Sequence, residues 1–186
     1  AYGASMPEIW NLKCKGPLFD KGYIEKTSFY TDNPRSDRGF WINTARPLFK
    51  DTKMRAAFAH ALNIEGGLKK VYRGDFVRLQ HIHTGYGDYE NQGVKARTFD
   101  VKEVEKLMKS MGWSRGGDGI WKKGDRRFST KVTYGSELVT DFLAFLKEDA
   151  KKAGVEIILD FLDGATAFKK MREKKHEIAY MGWSTN

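Results

Sequence analysis

The chain has 186 residues, 40% hydrophobic and 13% aromatic, which is enough for one packed domain or for one domain with an arm. Charged residues make up 31% of the chain, and no apolar run is long enough to cross a bilayer, so the composition excludes a transmembrane helix. Cys14 is the only cysteine, which excludes an internal disulfide and a cysteine-based metal site.

Basic residues outnumber acidic ones by 33 to 24, and the resulting net charge of +9 raises nucleic-acid binding as a hypothesis. The basic residues are spread along the chain and interleaved with acids, as in the run KEVEK at residues 102–106. Such a pattern is typical of solvated helix faces. A basic nucleic-acid-binding α/β module is therefore the alternative hypothesis, and it predicts binding that weakens steeply with salt.

Proline and glycine recur through residues 1–38, which predicts an irregular arm or the remnant of a preceding lobe. A strand is predicted at Phe40–Thr44. Asp51 then begins a helix that Asn63 breaks, and a second helix runs to Gly74. Few periodic apolar positions follow, so residues 74–98 are predicted to form a long loop.

The next helix has clear signals at both ends. Asp100 and Glu103 form a pair typical of a helix start, and Gly112 is the glycine expected after a helix end. Further along, a turn at Gly124-Asp125 predicts a hairpin whose second strand runs from residue 127 to 134.

The C-terminal half alternates between strand and helix patterns. Ser136 is expected to cap a helix that ends at Gly154, and Val155–Phe161 is a predicted strand. Apolar residues at helical spacing predict the buried stripe of this helix, namely Val139, Phe142, Leu146, Ala150 and Ala153. A short helix then begins at residue 163 or 164 and carries Phe168 and Met171 as its apolar residues, and residues 178–181 form the last strand. This alternation predicts an α/β layer with right-handed parallel crossovers.

Several of these segments together resemble a known family. The run FWINTARPLFKDTKMRAAFAHALNI is similar to the signature of the family 5 extracellular solute-binding proteins, the peptide/nickel-type receptors of ABC importers. The runs FDVKEVEKLMKSMGW and LKEDAKKAGVEIILDFLDGATAFKKMREKKHEIAYMGWS resemble later segments of that family, in the same order. The N-terminal part is nearest to the YejA-like oligopeptide branch. The residues that fill the places of the first signature are Asn43, Thr44, Arg46, Pro47, Phe49, Asp51 and Arg55.

The resemblance implies an α/β fold that forms one lobe of a periplasmic-binding-protein-type two-lobe receptor, with a mixed sheet and flanking helices. Residues 39–186 would be a ligand-binding lobe that is cut within its own site. The implied function is binding of peptides or related oligomeric solutes by hinge closure against a missing first lobe of the same polypeptide. The implied partner is an ABC permease, and the implied location is periplasmic, or extracellular with a membrane anchor. No cofactor, metal or catalytic residue is implied, and nucleic acid is not expected as a partner.

In an open α/β sheet, ligands bind at the carboxyl ends of the strands. The runs expected there are Tyr134-Gly135-Ser136, Asp163-Gly164 and Trp183-Ser184-Thr185-Asn186. Because Tyr180 and Met181 alternate along one strand, only one of them is expected to face the cleft, and we choose Tyr180. The predicted ligand-binding residues are Trp183, Tyr180, Asn186, Ser136 and Tyr134.

The resemblance gives Trp183 and Asn186 particular roles. Trp183 matches an aromatic residue that lines the cavity of peptide-binding members, although a buried tryptophan with a satisfied indole N–H fits it equally well. In many peptide receptors an acidic residue that pairs with the ligand amine stands three residues after this tryptophan. Asn186 stands there instead, and because it carries no charge the pairing would be weaker.

Two other kinds of site were weighed against the sequence. His81 and His83 could offer two metal ligands on one strand face, but a surface loop is the preferred interpretation because no acidic or cysteine cluster accompanies them. An enzyme fragment with catalytic residues outside the chain is the third hypothesis, and nothing in the sequence supports it.

Overall fold

The computed structural model describes residues 9–28, 37–82 and 84–183, with the exception of the Trp183 side chain. Four single-turn helices occur at Ile9–Lys13, Pro47–Phe49, Gly87–Tyr89 and Glu137–Val139. The remaining helices and the strands are α1 (Pro17–Asp20), β1 (Asp37–Ile42), α2 (Thr52–Ala61), α3 (Ile64–Lys70), α4 (Val101–Ser110), β2 (Ser114–Arg115), β3 (Trp121–Lys123), β4 (Arg126–Arg127), β5 (Ser129–Tyr134), α5 (Thr140–Lys152), β6 (Glu156–Phe161), α6 (Gly164–Arg172) and β7 (Ile178–Trp183).

The central sheet has four strands in the order β1-β7-β5-β6. β5 pairs in parallel with β6 and with β7, whereas β1 pairs antiparallel with β7. The predicted strand–helix–strand–helix–strand run is therefore confirmed, and so is the mixed sheet with flanking helices. β2, β3 and β4 form a separate antiparallel sheet, in which the predicted turn at Gly124-Asp125 joins β3 to β4. The predicted second strand of that hairpin, residues 127–134, was wrong as a single strand, because it is divided between β4 of this sheet and β5 of the central sheet.

Helices α5 and α6 cover opposite faces of the central sheet. Tyr180 points to the α5 face, where its ring centroid lies 6.0 Å from that of Phe142. Asp160 points to the other face, because its carboxylate accepts a hydrogen bond from Lys170 of α6 at 2.6 Å. Two crossovers on opposite faces leave the carboxyl edge of the sheet open between the helices.

The main core lies on the α5 face. The predicted apolar stripe of α5 is confirmed, since all five of its side chains are at most 2% exposed, namely Val139, Phe142, Leu146, Ala150 and Ala153. They pack with buried side chains of α2, α4 and the sheet, among them Phe58, Met108, Val132 and Ile178. The 3.6-residue period of the helices and the alternation of the strands account for this core.

The helix starts follow the predicted caps. Asp51 and Asp100 accept backbone N–H groups of α2 and α4, and Asp163 accepts that of Thr166 in α6. Asn63 does more than end α2, because its side chain caps α3 by accepting the N–H of Gly66 at 3.0 Å. Short polar acceptors at these positions satisfy N–H groups that have no partner within the helix.

Several expectations about local structure were wrong. β1 runs from Asp37 to Ile42 rather than from residue 40 to 44, because its pairing with β7 extends that far towards the N terminus. The Ser136 side chain makes no capping bond, and α5 begins four residues later, after a single helical turn. The arm is not wholly irregular, since α1 and one further helical turn lie within residues 9–28.

The inner face of α6 also differs from the prediction. Ala167 is the buried residue of this helix, at 1% exposure, whereas Phe168 is 49% exposed. The cause is the close approach of the helix to the end of β5, which leaves room only for a small side chain. Within the ranges that the structure describes, every helix is too short or too polar to cross a membrane.

Candidate functional site at the carboxyl edge of the sheet

A cleft of about 230 Å³ lies at the carboxyl edge of the central sheet, where β5 and β7 end. It opens between α5 and α6, which is the place where an α/β sheet of this kind leaves room for a ligand. Its lining combines loop glycines, apolar side chains and one charged side chain. The residues are Arg38, Gly135, Ser136, Val139, Gly164, Ala167, Phe168, Met171, Tyr180, Met181 and Gly182.

Glycine at position 135 sets the shape of the cleft on the β5 side. A Cβ atom built on Gly135 would lie 2.9 Å from the Cα of Gly164 and 3.1 Å from the Cβ of Ala167. The first distance is too short for carbon atoms that are not bonded, so a side chain here would push α6 away from β5. The backbone of the β5 turn therefore packs directly on the first turn of α6 and is itself exposed to the cleft.

Tyr180 forms the inner wall of the cleft. Its ring packs against Phe40, at a centroid distance of 5.0 Å, and against Phe142. Burial raises the pKa of the Tyr180 hydroxyl well above its usual range, and the positive charge of Arg38 partly opposes that rise. The hydroxyl is therefore neutral at physiological pH and can act only as a hydrogen-bonding group.

Phe168 and Met171 of α6 form the outer wall. Phe168 is 49% exposed although it is a large apolar side chain, and Met171 is partly buried. Exposed aromatic surface beside a cleft favours contact with a ligand or with another part of a protein. The arrangement provides hydrophobic contact and hydrogen bonding.

The predicted site residues divide into three groups. Ser136 and Tyr180 line the cleft, and so does Met181, which was expected to point away. Tyr134 is only 3% exposed and lies outside the lining, because its hydroxyl is bonded to Thr140 and its ring packs on Phe161. The backbone of Trp183 ends β7 beside the cleft, but its side chain and Asn186 lie outside the part of the chain that the structure describes.

Arg38 and the α6 side chains were missed by reasoning from the sequence. Arg38 was placed in the arm, since the strand was predicted to begin only at Phe40. Alternation offered a signal, because Arg38, Phe40 and Ile42 share one face of β1, and that face is the one beside Tyr180. Phe168 was expected to pack inward.

Other chemistry-bearing residues do not form a second site. Among residues 9–28, 37–82 and 84–183, no group of three His, Cys, Asp or Glu side chains could hold a metal ion. His81 lies 4.0 Å from Glu90, and His83 is outside the described residues. A polar cleft beyond the other end of β1 contains Lys53 and Lys123, whose ammonium groups are already bonded within the protein.

The sequence also matches a family model. The model of the bacterial extracellular solute-binding proteins, family 5 (middle part), matches residues 16–186. The chain belongs to this family. The family consists of solute-binding receptors rather than enzymes. The resemblance to this family and the expected α/β fold are both confirmed. The assignment to the YejA-like branch stays a prediction.

Two relatives, one of them compared both by sequence and by structure, show how far the similarity extends. The oligopeptide-binding protein AppA of Bacillus subtilis is 26% identical over 149 residues, which cover 76% of this chain and 27% of AppA. The structure of AppA with a nonapeptide has a TM-score of 0.74 at 24% identity and covers 82% of this chain and 32% of that one. The oligopeptide-binding protein of Thermus thermophilus with a pentapeptide has a TM-score of 0.69 at 27% identity, over 80% of this chain and 28% of that one.

A third relative, solved with a bound iron chelate, has the same fold. The structure of NikA from Brucella suis with Fe(III)-EDTA has a TM-score of 0.72 at 21% identity, and covers 81% of this chain and 31% of that one. The chain thus spans about a quarter to a third of the length of these relatives.

Proposed function

We propose that this chain is the part of an ABC-importer receptor that forms one wall of a solute-binding cleft, and that the solute is a peptide or a related oligomer. The observation that carries the proposal is the open cleft at the carboxyl edge of the sheet, lined by exposed backbone at Gly135 and by apolar side chains. Exposed backbone and apolar walls suit a ligand that repeats a backbone and varies in its side chains. Relatives of the chain whose names specify peptides support the same choice.

The receptor would act by closure of two lobes around the solute. The cleft is open on the side away from the sheet, so this chain supplies only part of the contacts that a bound oligomer would make. A second lobe of the same polypeptide would supply the remainder, and the closed form would dock on the membrane permease. The site of action would be the periplasm, or the cell exterior with a membrane anchor.

The proposed ligand contacts include the predicted residues that reach the cleft. Ser136 can donate or accept a hydrogen bond at the end of β5, and Tyr180 offers a neutral hydroxyl on the inner wall. Trp183 and Asn186 remain proposed contacts, because Trp183 comes directly after the cleft-lining Gly182 and Asn186 stands three residues after Trp183 in the sequence. Tyr134 is the weakest of the five candidates, since its side chain is buried.

The nucleic-acid alternative is not supported. The relatives found are solute-binding proteins, and many basic side chains of the described part engage nearby carboxylates or carbonyl groups. Arg127, for example, bonds both Asp118 and Glu156, and Lys170 bonds Asp160. Such pairs leave less free positive charge for phosphates than the net charge suggests.

A thermal-shift screen tests the proposal on the complete polypeptide that the gene encodes, with the 186-residue chain as the control. The ligand sets are mixed oligopeptides, oligosaccharides, nickel and a DNA oligonucleotide. Bound ligand raises the melting temperature by linkage, so we expect a rise with peptides for the complete protein and little or none for the chain alone. The proposal would be contradicted if only DNA or only nickel raised the melting temperature, or if none of the ligand sets raised it.

A further inference from the structure

Arg38 is the one charged side chain among the described residues that line the cleft. It lies on β1, directly opposite Gly182 of β7 in the antiparallel register. Residues paired in this way point to the same face of a sheet, so the Arg38 side chain and the missing side chain of Gly182 occupy the same side. That side carries Tyr180 two residues earlier along β7.

The side chain of Arg38 lies close to Gly182 on the neighbouring strand. A Cβ atom built on Gly182 would lie 2.8 Å from the carbonyl oxygen of Asp37, and 3.1 Å from the Cγ and 3.8 Å from the Nε of Arg38. The arginine side chain therefore lies over the position that a side chain at 182 would fill, and it extends along the end of β7 towards the cleft. The stem of Arg38 thus occupies space that a side chain at position 182 would need.

The Arg38 guanidinium forms no ion pair with any carboxylate in the described part of the chain. Several other arginines there are engaged within the protein: Arg127 binds two carboxylates, and Arg46 donates to the carbonyl oxygens of Lys175 and His176. Arg38 is exposed, and it borders the apolar wall made by Tyr180. A planar fork of donors beside apolar surface is suited to a carboxylate, because such bonds strengthen where water is partly excluded.

We propose that Arg38 binds a carboxylate of the solute and so makes the cleft selective for carboxylate-bearing oligomers. The carboxylate is either the C-terminal group of a peptide or an acidic side chain, and both present the same planar pair of oxygens. This inference rests on the proposed function, since it assigns a specificity residue to that same cleft. If the carboxylate is the C-terminal group, Arg38 also sets the direction of the bound peptide, because the C terminus then lies at the β1–β7 side.

The test is calorimetric titration of the complete encoded polypeptide with three probes of equal length. The probes are tetra-alanine with a free C terminus, tetra-alanine amide, and an amidated tetrapeptide that contains one aspartate. We expect the free acid to bind about ten- to a hundredfold more tightly than the amide, which is the usual range for a hydrogen bond to a charged group. The aspartate probe separates the two sources, since it regains affinity only if a side-chain carboxylate reaches Arg38.

Substitutions locate the effect. Arg38→Met should remove the preference for the free acid over the amide, and Arg38→Lys should keep part of that preference. Arg97→Met is the matched control, because Arg97 is exposed in the 74–98 loop outside the cleft and its loss changes the net charge equally. General damage to the fold would weaken acid and amide alike, so it is distinguished by the ratio.

Two outcomes overturn the inference separately. If the free acid and the amide bind equally well, or if Arg38→Met retains the preference for the free acid, Arg38 does not bind the carboxylate of the solute. The proposed function still stands in that case. If none of the peptides binds, the proposed function itself fails, and the inference fails with it.

Discussion

Asn63 links helix α3 to helix α5, and its replacement by alanine should be strongly destabilising. The Oδ1 atom accepts the backbone N–H of Gly66 at 3.0 Å and so caps α3. The Nδ2 group donates to the Oδ2 atom of Asp149 at 2.7 Å, and Asp149 is only 6% exposed on α5. One side chain therefore satisfies a helix end and a largely buried carboxylate.

The expected cost follows from these two bonds. Loss of an N-cap costs about 1 kcal/mol, and loss of a hydrogen bond to a charged group costs about 1.5–3 kcal/mol. Asp149 keeps a second partner, the Nζ atom of Lys152 at 2.5 Å, so the total loss of stability should lie near the lower end of the combined cost. We expect Asn63→Ala to lower the free energy of unfolding by about 2–3 kcal/mol, or to lower Tm by about 4–12 °C.

Urea unfolding followed by circular dichroism at pH 7 measures this loss. Asn63→Ser is the matched control, because serine can still cap α3 but is too short to reach Asp149, so it should lose only the second contribution. A loss below about 1 kcal/mol for Asn63→Ala would refute the reasoning, since it would mean that neither bond contributes to stability.

The pH dependence gives an independent check on the same bond. Burial favours the neutral acid and tends to raise the pKa of Asp149, but the hydrogen bonds from Lys152 and Asn63 outweigh it and hold the pKa below its usual value. A lowered folded-state pKa stabilises the protein above the unfolded-state value, near 4, and this contribution is lost as the pH falls through the folded-state pKa. The difference between wild type and Asn63→Ala should therefore narrow below about pH 4.

Three further changes test other parts of the structure. Trp121→Phe should lower the free energy of unfolding by about 2 kcal/mol in urea titration, because the buried indole N–H donates to the Ala153 carbonyl at 2.9 Å. An unchanged urea midpoint would show that this hydrogen bond does not contribute to stability. Gly135→Ala should lower the free energy of unfolding by about 1–3 kcal/mol in the same titration and also weaken peptide binding, because the added methyl group displaces the start of α6. Unchanged stability and unchanged peptide binding would show that α6 adjusts freely. Burial tends to raise the pKa of Asp160, but the bond from Lys170 helps to hold that pKa below its usual value. Lys170→Met should therefore be destabilising above about pH 4, and the stability difference from wild type should narrow at lower pH. A stability difference that is constant with pH would refute this.

The sequence was most informative where a local pattern determines the structure. The α5 stripe and the caps at Asp51 and Asp100 were predicted correctly, since helical periodicity and cap chemistry act within a few residues. The alternation of strands and helices after residue 128 also identified the parallel strands, because crossover handedness limits the arrangements. These features place the carboxyl edge of the sheet, and with it the cleft.

The parts that were missed depend on contacts between distant segments. β1 begins at Asp37 because β7 is there to pair with it, and no local signal in the run NPRSDRG marks that start. The stem of Arg38 occupies space that a side chain at position 182 would need, which is a relation between residues 144 positions apart. Likewise, α6 buries Ala167 rather than Phe168 because the backbone at Gly135 lies against it.

The central claim is that the carboxyl-edge cleft binds the solute, and nuclear magnetic resonance tests it most directly. Two-dimensional ¹H–¹⁵N spectra of the 186-residue chain would be recorded during titration with a mixed oligopeptide pool at millimolar concentration, which compensates for the contacts this chain does not supply. The account predicts shifts that are concentrated on the amides of Gly135, Ser136, Gly164 and Gly182, with weak, saturable binding. Shifts centred instead on the polar cleft near Lys53 and Lys123, or spread over the whole surface, would contradict it.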